Sequence, residues 1–212
     1  MESRYKYPRT PHLPWSPGVG EDDLTVWDLS VWEGREVVVT EKMDGENTTL
    51  YRDGIHARSL SSGHHPSRSW VKQLQQQIGY LLPEGWRFCG ENLFACHSIF
   101  YEELPSYFLL FSIWDDDNCS LSWDETLEWA AMLGLSTPKE LYRGNWNEKA
   151  LRRLALAVDT QRSEGYVVRR TSGFAYESFG DCVAKWVRSH HVQTDVHWMH
   201  AEVVPNGLAE PK

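Results

Sequence analysis

No run of apolar residues in this sequence approaches the roughly 20 needed to span a bilayer. The N-terminus, MESRYKYPRTPHLPWSPG, lacks the apolar stretch of a secretory signal. Cysteine is sparse and scattered: Cys89, Cys96, Cys119 and Cys182 form no close pair at metal-ligand spacing. A structural zinc site is thereby excluded, and a disulfide scaffold would be denser. Reduced thiols in a cytoplasmic protein away from membranes are the expectation. Positive charge is also short, with 21 Lys and Arg against 30 Asp and Glu and a net charge of −9. This excludes a protein that coats nucleic acid through overall positive charge but leaves room for a local basic groove. Repeats, low-complexity runs and internal linkers are lacking too.

What remains is a chain of 212 residues, 41% apolar and 24% charged, long enough for one globular domain with a real core. Eleven tryptophans are many for that length, and most should pack inside or on strand faces. Positive residues gather around Arg162, Arg169, Arg170, Lys185 and Arg188, and again at Arg58 and Arg68.

The first two dozen residues are rich in proline and glycine and read as a loop lying over the domain. REVVVTEK and NTTLYRDG are strand-like runs around MDGE, which holds the Asp-Gly turn signal; a second turn leads into IHARSL. From Ser69 to Leu82, apolar residues recur at helical spacing until Pro83. GWRFCGENLF and the almost wholly apolar YFLLFSIWD are further strands, the second expected to be central in a sheet. A helix over Ser122–Leu133 opens on SWDE, a capping box, and ends at Gly134. Another covers Asn147–Val158, and EGYVVRRT and DCVAKWV return to strand character. The expected class is α+β, with strands outnumbering helices.

Lys42 stands where the β-branched run of VVVTEKMDGEN stops, and alone it reads as an exposed strand-end charge. Later stretches change that weighting. Arg58 in HARS, Glu91 in FCGEN, Phe111 in FLLFSIWD, Glu164 in SEGYVVRR and Lys185 in VAKWVR each stand at or beside an end of a strand candidate. Such a layout converges polar groups on one cleft. Each has a plain alternative: core packing for Phe111, solvated carboxylates for Glu91 and Glu164, and an ion pair with Asp53 for Arg58.

This ordered set, from about Val37 to Arg188, resembles the covalent nucleotidyltransferase superfamily of ATP-dependent RNA and DNA ligases and capping enzymes. Asn47 in KMDGEN, and GEN followed by FLLFSIWD, are most similar to the RNA ligases. The resemblance implies a nucleotidyltransferase (ATP-grasp-like ligase adenylation) domain with mainly antiparallel sheets flanked by helices. It implies ATP with Mg²⁺ or Mn²⁺, and RNA with 5′-phosphate and 3′-hydroxyl ends, sealed in RNA repair, and it leaves room for an end-healing partner protein. Lys42 resembles the nucleophile that forms lysyl-AMP. Glu41 would lie near the adenine, with Asn47 among the nucleotide contacts. Asp44 would place the lysine or a metal-bound water, Arg58 and Lys185 would contact phosphate, and Glu91 would hold the ribose. Phe111 would stack on adenine, and Glu164 would lie near the metal, making Asp44 and Glu164 the expected metal residues.

Physical chemistry supports those roles. A lysine in water has a pKa of about 10.4, so attack on phosphorus needs a lowered value, which burial and neighbouring cations would favour. Cations would also offset charge on the α-phosphate and departing pyrophosphate.

The chain departs from that pattern in two places. Two residues after Lys185, where the superfamily has a second lysine, stands Val187, and Arg188 would point to the opposite face of a regular strand. Either a bulge brings Arg188 round or one basic contact is missing. After the last motif only about two dozen residues remain, fewer than an OB domain needs. The expected organisation is an N-terminal loop over 1–30, the adenylation domain over 31–190, and a tail or helix over 191–212. His64, His65 and Arg68 are further candidates for a phosphate or RNA-end contact. His190, His191, His197 and His200 could hold a metal, but a polar helix packing Val192, Val196 and Trp198 is the plainer reading. The alternatives to an RNA ligase are a GTP-dependent capping guanylyltransferase and a non-catalytic nucleotide- or RNA-binding module.

Overall fold

Three successive valines open the strand that organises the structure, a computed structural model describing residues 4–189 and 203–210. Strand β1 (Glu36–Lys42) turns Val37 and Val39 to one face and Val38, Thr40 and Lys42 to the other. It lies inside a four-stranded antiparallel sheet of order β10-β8-β1-β7, with β7 (Glu140–Asn145), β8 (Gly165–Arg170) and β10 (Val183–Val187). Val37 and Val39 join Tyr166, Val168, Ala184 and Trp186 in a core closed by Leu13, Trp32 and Leu151. Leu151 belongs to α3 (Glu148–Ala157), whose first turn is capped by the Asn147 side chain accepting from the Ala150 N–H.

The second sheet has six strands in the order β3-β2-β4-β5-β6-β9, again antiparallel. They are β2 (Glu46–Tyr51), β3 (Gly54–Ala57), β4 (Arg87–Asn92), β5 (Phe108–Trp114), β6 (Cys119–Ser120) and β9 (Phe174–Ala175). Its outer face, with Leu50, Phe88, Leu110 and Ile113, packs against α1 (Ser69–Ile78) and α2 (Trp123–Leu133). Its inner face meets the first sheet through Cys89, Phe111, Trp114 and Val183, with Tyr7 and Phe179 filling in between. The expected α+β class with mainly antiparallel sheets flanked by helices is observed.

Helix α2 carries both halves of its capping box, Ser122 with Glu125, and ends at Gly134 in the left-handed region. Helix α1 stops at Ile78, short of the expected Leu82. The chain passes into a 3-10 turn over Gly79–Leu81, where a side chain on Gly79 would fall 2.8 Å from the Arg52 carbonyl. Strand β7 was not expected: ELYRGN has no buried position, and its extended form comes from pairing with β1. The N-terminal segment is less of a surface loop than its composition suggests. Lys185 donates its N–H to the Pro11 carbonyl (2.9 Å) and Leu13 donates to the Lys185 carbonyl (2.8 Å), extending the sheet beyond β10. All four cysteines are free thiols. Among the described residues no helix is long and apolar enough to cross a membrane.

The C-terminal helix expected around Val192, and the four histidines from His190 to His200, lie outside the described residues. Residues 203–210 run as an extended segment bridged to Ala95 and Leu104.

Candidate active site

Strand register brings the expected residues together. Lys42, the last residue of β1, pairs with Gly165, the first of β8, so Glu164 stands beside it and the Lys42 ammonium is ion-paired to the Glu164 carboxylate. A side chain at Gly165 would fall 2.0 Å from the Trp186 carbonyl, and its φ of 153° is one that L side chains rarely adopt. On β10, Lys185 pairs with Val167 and faces the same cleft. From the second sheet, Asn47 pairs with Glu91. Phe111 is the extra residue of a bulge in β5, because Cys89 pairs with Ser112 and Gly90 with Leu110. Its ring meets Tyr7 edge-on at 5.2 Å, and its carbonyl accepts from the Arg169 guanidinium.

Glu41, Lys42, Asn47, Arg58, Glu91, Phe111 and Lys185 all line one cavity of about 920 Å³. Asp44 and Glu164 are not on its wall but act on Lys42 through their charges. The Asp44 Oδ2 atom accepts three hydrogen bonds, from Ser98 N–H (2.8 Å), Ser98 Oγ–H (2.6 Å) and Ile99 N–H (3.0 Å). The other oxygen, Oδ1, lies 4.0 Å from His97 Nδ1.

Electrostatics differ from expectation at the lysine. Burial alone would lower the Lys42 pKa, but the charges of Glu164, Glu91 and Asp44 outweigh it and hold the ammonium above its usual range. The direction is opposite to the lowered value that attack on phosphorus calls for. Glu91 is pushed up to about 8 by burial, against the pull of Lys42 and reinforced by Glu164 and Asp44. Lys185 is lowered by burial and by the Lys42 and Arg58 charges. Arg58 is lowered by burial and by Arg9, which lines the same cavity. Glu41 is raised by burial against a Ser163 hydrogen bond and the Lys139 charge.

Several other expectations are corrected. Asp53 pairs with Arg4 at 2.5 Å rather than with Arg58. Arg68 lines the cavity but is buried and already held by Glu46 (Nε–Oε2 2.7 Å) and the Gly63 carbonyl. His65 caps the turn that follows it, and His64 lies 2.9 Å from the Lys72 ammonium. Strand β10 has no bulge and ends at Val187. The Arg188 guanidinium binds the Thr160 carbonyl (2.6 Å) and Ser98 Oγ (3.3 Å), away from the cavity, so no second basic contact comes from there.

Arg169, Tyr7, Ser98 and Tyr101 are the contributors that sequence reasoning missed. Alternation along β8 was a usable signal for Arg169, which shares a face with Val167. The other three sit in loops without periodicity.

Among the described residues no group of three or more His, Cys, Asp or Glu side chains closes around a common point. Of the two expected metal residues, Glu164 offers a carboxylate of the kind a hard cation takes, and both its charge and that of Asp44 act on the Lys42 ammonium.

Two facing antiparallel sheets with a lysine at the end of a central strand define a nucleotidyltransferase-type fold. The chain belongs to the RNA ligase family, whose model matches residues 35–187. Among solved structures it is similar to a Naegleria gruberi RNA ligase with PPi (18% identity, TM-score 0.54, covering 77% of this chain and 53% of that one). A mutant of that ligase solved with ATP and Mn gives 20% identity and a TM-score of 0.50, covering 75% and 51%. An archaeal ATP-dependent RNA ligase matches at 15% identity and a TM-score of 0.59, covering 88% and 49%. An Aquifex aeolicus protein described as an ATP-dependent DNA ligase matches at 18% and 0.56, covering 87% and 50%. The chain thus spans about half the length of these relatives. No curated protein matches it by sequence.

Proposed function

We propose that this chain carries out ATP-dependent RNA ligation through a covalent lysyl-AMP, in the repair of broken RNA. The single observation that supports it best is the setting of Lys42: one ammonium at a strand end, opening on a cavity shared with Arg58, Lys185 and Phe111.

The Lys42 Nζ attacks the α-phosphate of ATP; the P–N bond forms as the bond to pyrophosphate breaks. Before attack the ammonium loses a proton, and the Glu164 carboxylate that accepts its hydrogen bond is the adjacent acceptor. Lys185 and Arg58 offset phosphate charge by position. Phe111, on its bulge and backed by Tyr7, would give the purine a flat apolar face, and Glu91, which lines the same cavity, would hold the ribose. Glu164 would hold a Mg²⁺ or Mn²⁺ ion, which would supply positive charge that offsets the carboxylates around Lys42. The 5′-phosphate of an RNA end then takes AMP from Lys42, and a 3′-hydroxyl displaces AMP to close the strand. Similarity to a Naegleria gruberi RNA ligase solved with ATP and Mn and to an archaeal ATP-dependent RNA ligase supports ATP and RNA as the reactants and a divalent metal as cofactor.

Incubation with ATP labelled at the α-phosphate should yield a labelled protein, and Lys42→Ala should abolish the label. Uptake from GTP instead would favour a capping guanylyltransferase. ATP binding that survives Lys42→Ala, with no pyrophosphate released by the unaltered protein, would favour a binding module.

A further inference from the structure

Four hydrogen bonds tie the Asp44 side chain and amide to one loop. Ser98 and Ile99 hold the carboxylate, and the Asp44 N–H donates to Tyr101 Oη at 2.9 Å. The neighbouring Met43 packs with Leu93, Leu104 and Leu109 against Tyr101 and Tyr107. The loop thus grips the first half of the turn after Lys42, while Glu46 and Asn47 in its second half pair with β4.

That loop is fastened in turn by the extended segment 203–210. Tyr101 N–H donates to Asn206 Oδ1 (2.9 Å), and Gly207 N–H donates to the Tyr101 carbonyl (2.7 Å). Asn206 also donates through Nδ2 to the Leu93 carbonyl (2.8 Å) and through its N–H to the Phe94 carbonyl (3.0 Å). Its own carbonyl accepts from Tyr107 Oη at 2.8 Å. Asn206 is buried, with both side-chain polar atoms and both backbone groups engaged on one loop. The approach is close: a side chain on Gly207 would fall 2.2 Å from the Glu102 carbonyl.

We propose that segment 203–210 is a strap that positions the nucleophile, acting from Asn206 through Tyr101 to the Asp44 turn. Tyr101 and Asn206 are positioning residues, since neither lines the cavity. The inference rests on the reading of Lys42 as nucleophile. Its physical basis is that in-line attack needs the reacting atoms held close and aligned, so slack in the turn lowers the rate without weakening ATP binding.

The test uses the full chain with Tyr101→Phe, which keeps the ring and removes only the acceptor of the Asp44 N–H, and Asn206→Ala. Hydrogen exchange of the peptide covering Met43–Asn47 reads positioning itself. AMP uptake at varied ATP reads its consequence, and sealing of a pre-adenylylated RNA nick bypasses Lys42. In both variants exchange at Met43–Asn47 should quicken at least about tenfold, and the maximal rate of AMP uptake should fall about 10- to 100-fold. KM for ATP should stay within about twofold, and sealing of pre-adenylylated RNA should fall far less than uptake. Unchanged exchange in Tyr101→Phe overturns the proposal, as does a parallel loss of both reactions. If unaltered protein takes up no AMP while the exchange result holds, the ligase reading fails and the strap stands as a clamp on the turn.

Discussion

At Lys42 the ammonium is held by the carboxylate of Glu164, with Glu91 and Asp44 adding to the field. Arg169 is a second residue whose surroundings dictate its task. It is buried, its guanidinium meets the Phe111 carbonyl, and it lies 5.2 Å from the Trp123 ring centroid. It braces the bulge that presents Phe111 to the cavity. Arg169→Ala should destabilise the fold by about 1–3 kcal/mol, the usual effect of stranding a buried polar partner, measurable by denaturant unfolding. It should also raise KM for ATP several-fold. Arg188 serves differently, because its contacts are Thr160 and Ser98 rather than the cavity wall. Arg188→Ala should lower stability by about 1 kcal/mol and leave KM for ATP unchanged. A clear rise in that KM would place Arg188 on phosphate after all.

Among the elements, β8 and the hairpin of β2 and β3 make separable predictions. Gly165 begins β8 where Trp186 of β10 leaves no room for a side chain. Gly165→Ala should part the two strands at the Glu164 end and destabilise by roughly 3 kcal/mol or more, seen as a lowered Tm. In β3, buried His56 donates from Nδ1 to the Ala57 carbonyl and accepts at Nε2 from Tyr51 Oη (3.3 Å). Burial, countered by the Ala57 bond, holds its pKa below the ordinary 6.5. Below pH 6.5 the unfolded chain binds a proton that the folded one refuses. Stability should therefore fall as pH drops through the window between 6.5 and the lower folded value. His56→Gln should flatten that slope. Much of this level was legible in the sequence: β1, β2, β4, β5, β8, β10 and, among the described residues, α1, α2 and α3 follow from periodicity and capping. β7 was not, because a strand with no buried position has no alternation to read and is defined by its partner. The loop 97–101 was equally silent, since its grip on Asp44 depends on residues more than fifty positions away.

Taken whole, the molecule carries a net charge of −9 while gathering Arg9, Arg58 and Lys185 at one cavity. If RNA meets those cations, single-stranded affinity should fall with salt at a logarithmic slope of about −2, roughly 20-fold between about 50 and 200 mM. Motif order along the sequence foretold which side chains meet there, because each stands on or beside a strand whose register brings it to the cleft. It foretold less about the charge state of Lys42, which depends on how many carboxylates the folded chain crowds around one ammonium. The strap of residues 203–210 was also hidden, having no pattern of its own. The central claim is that Lys42 becomes covalently joined to AMP. Mass spectrometry of the intact protein after incubation with ATP and Mg²⁺, followed by peptide mapping, tests it directly. The expected result is one added AMP on the peptide containing Lys42, absent from Lys42→Ala. Unmodified protein, or AMP on another residue, would contradict it.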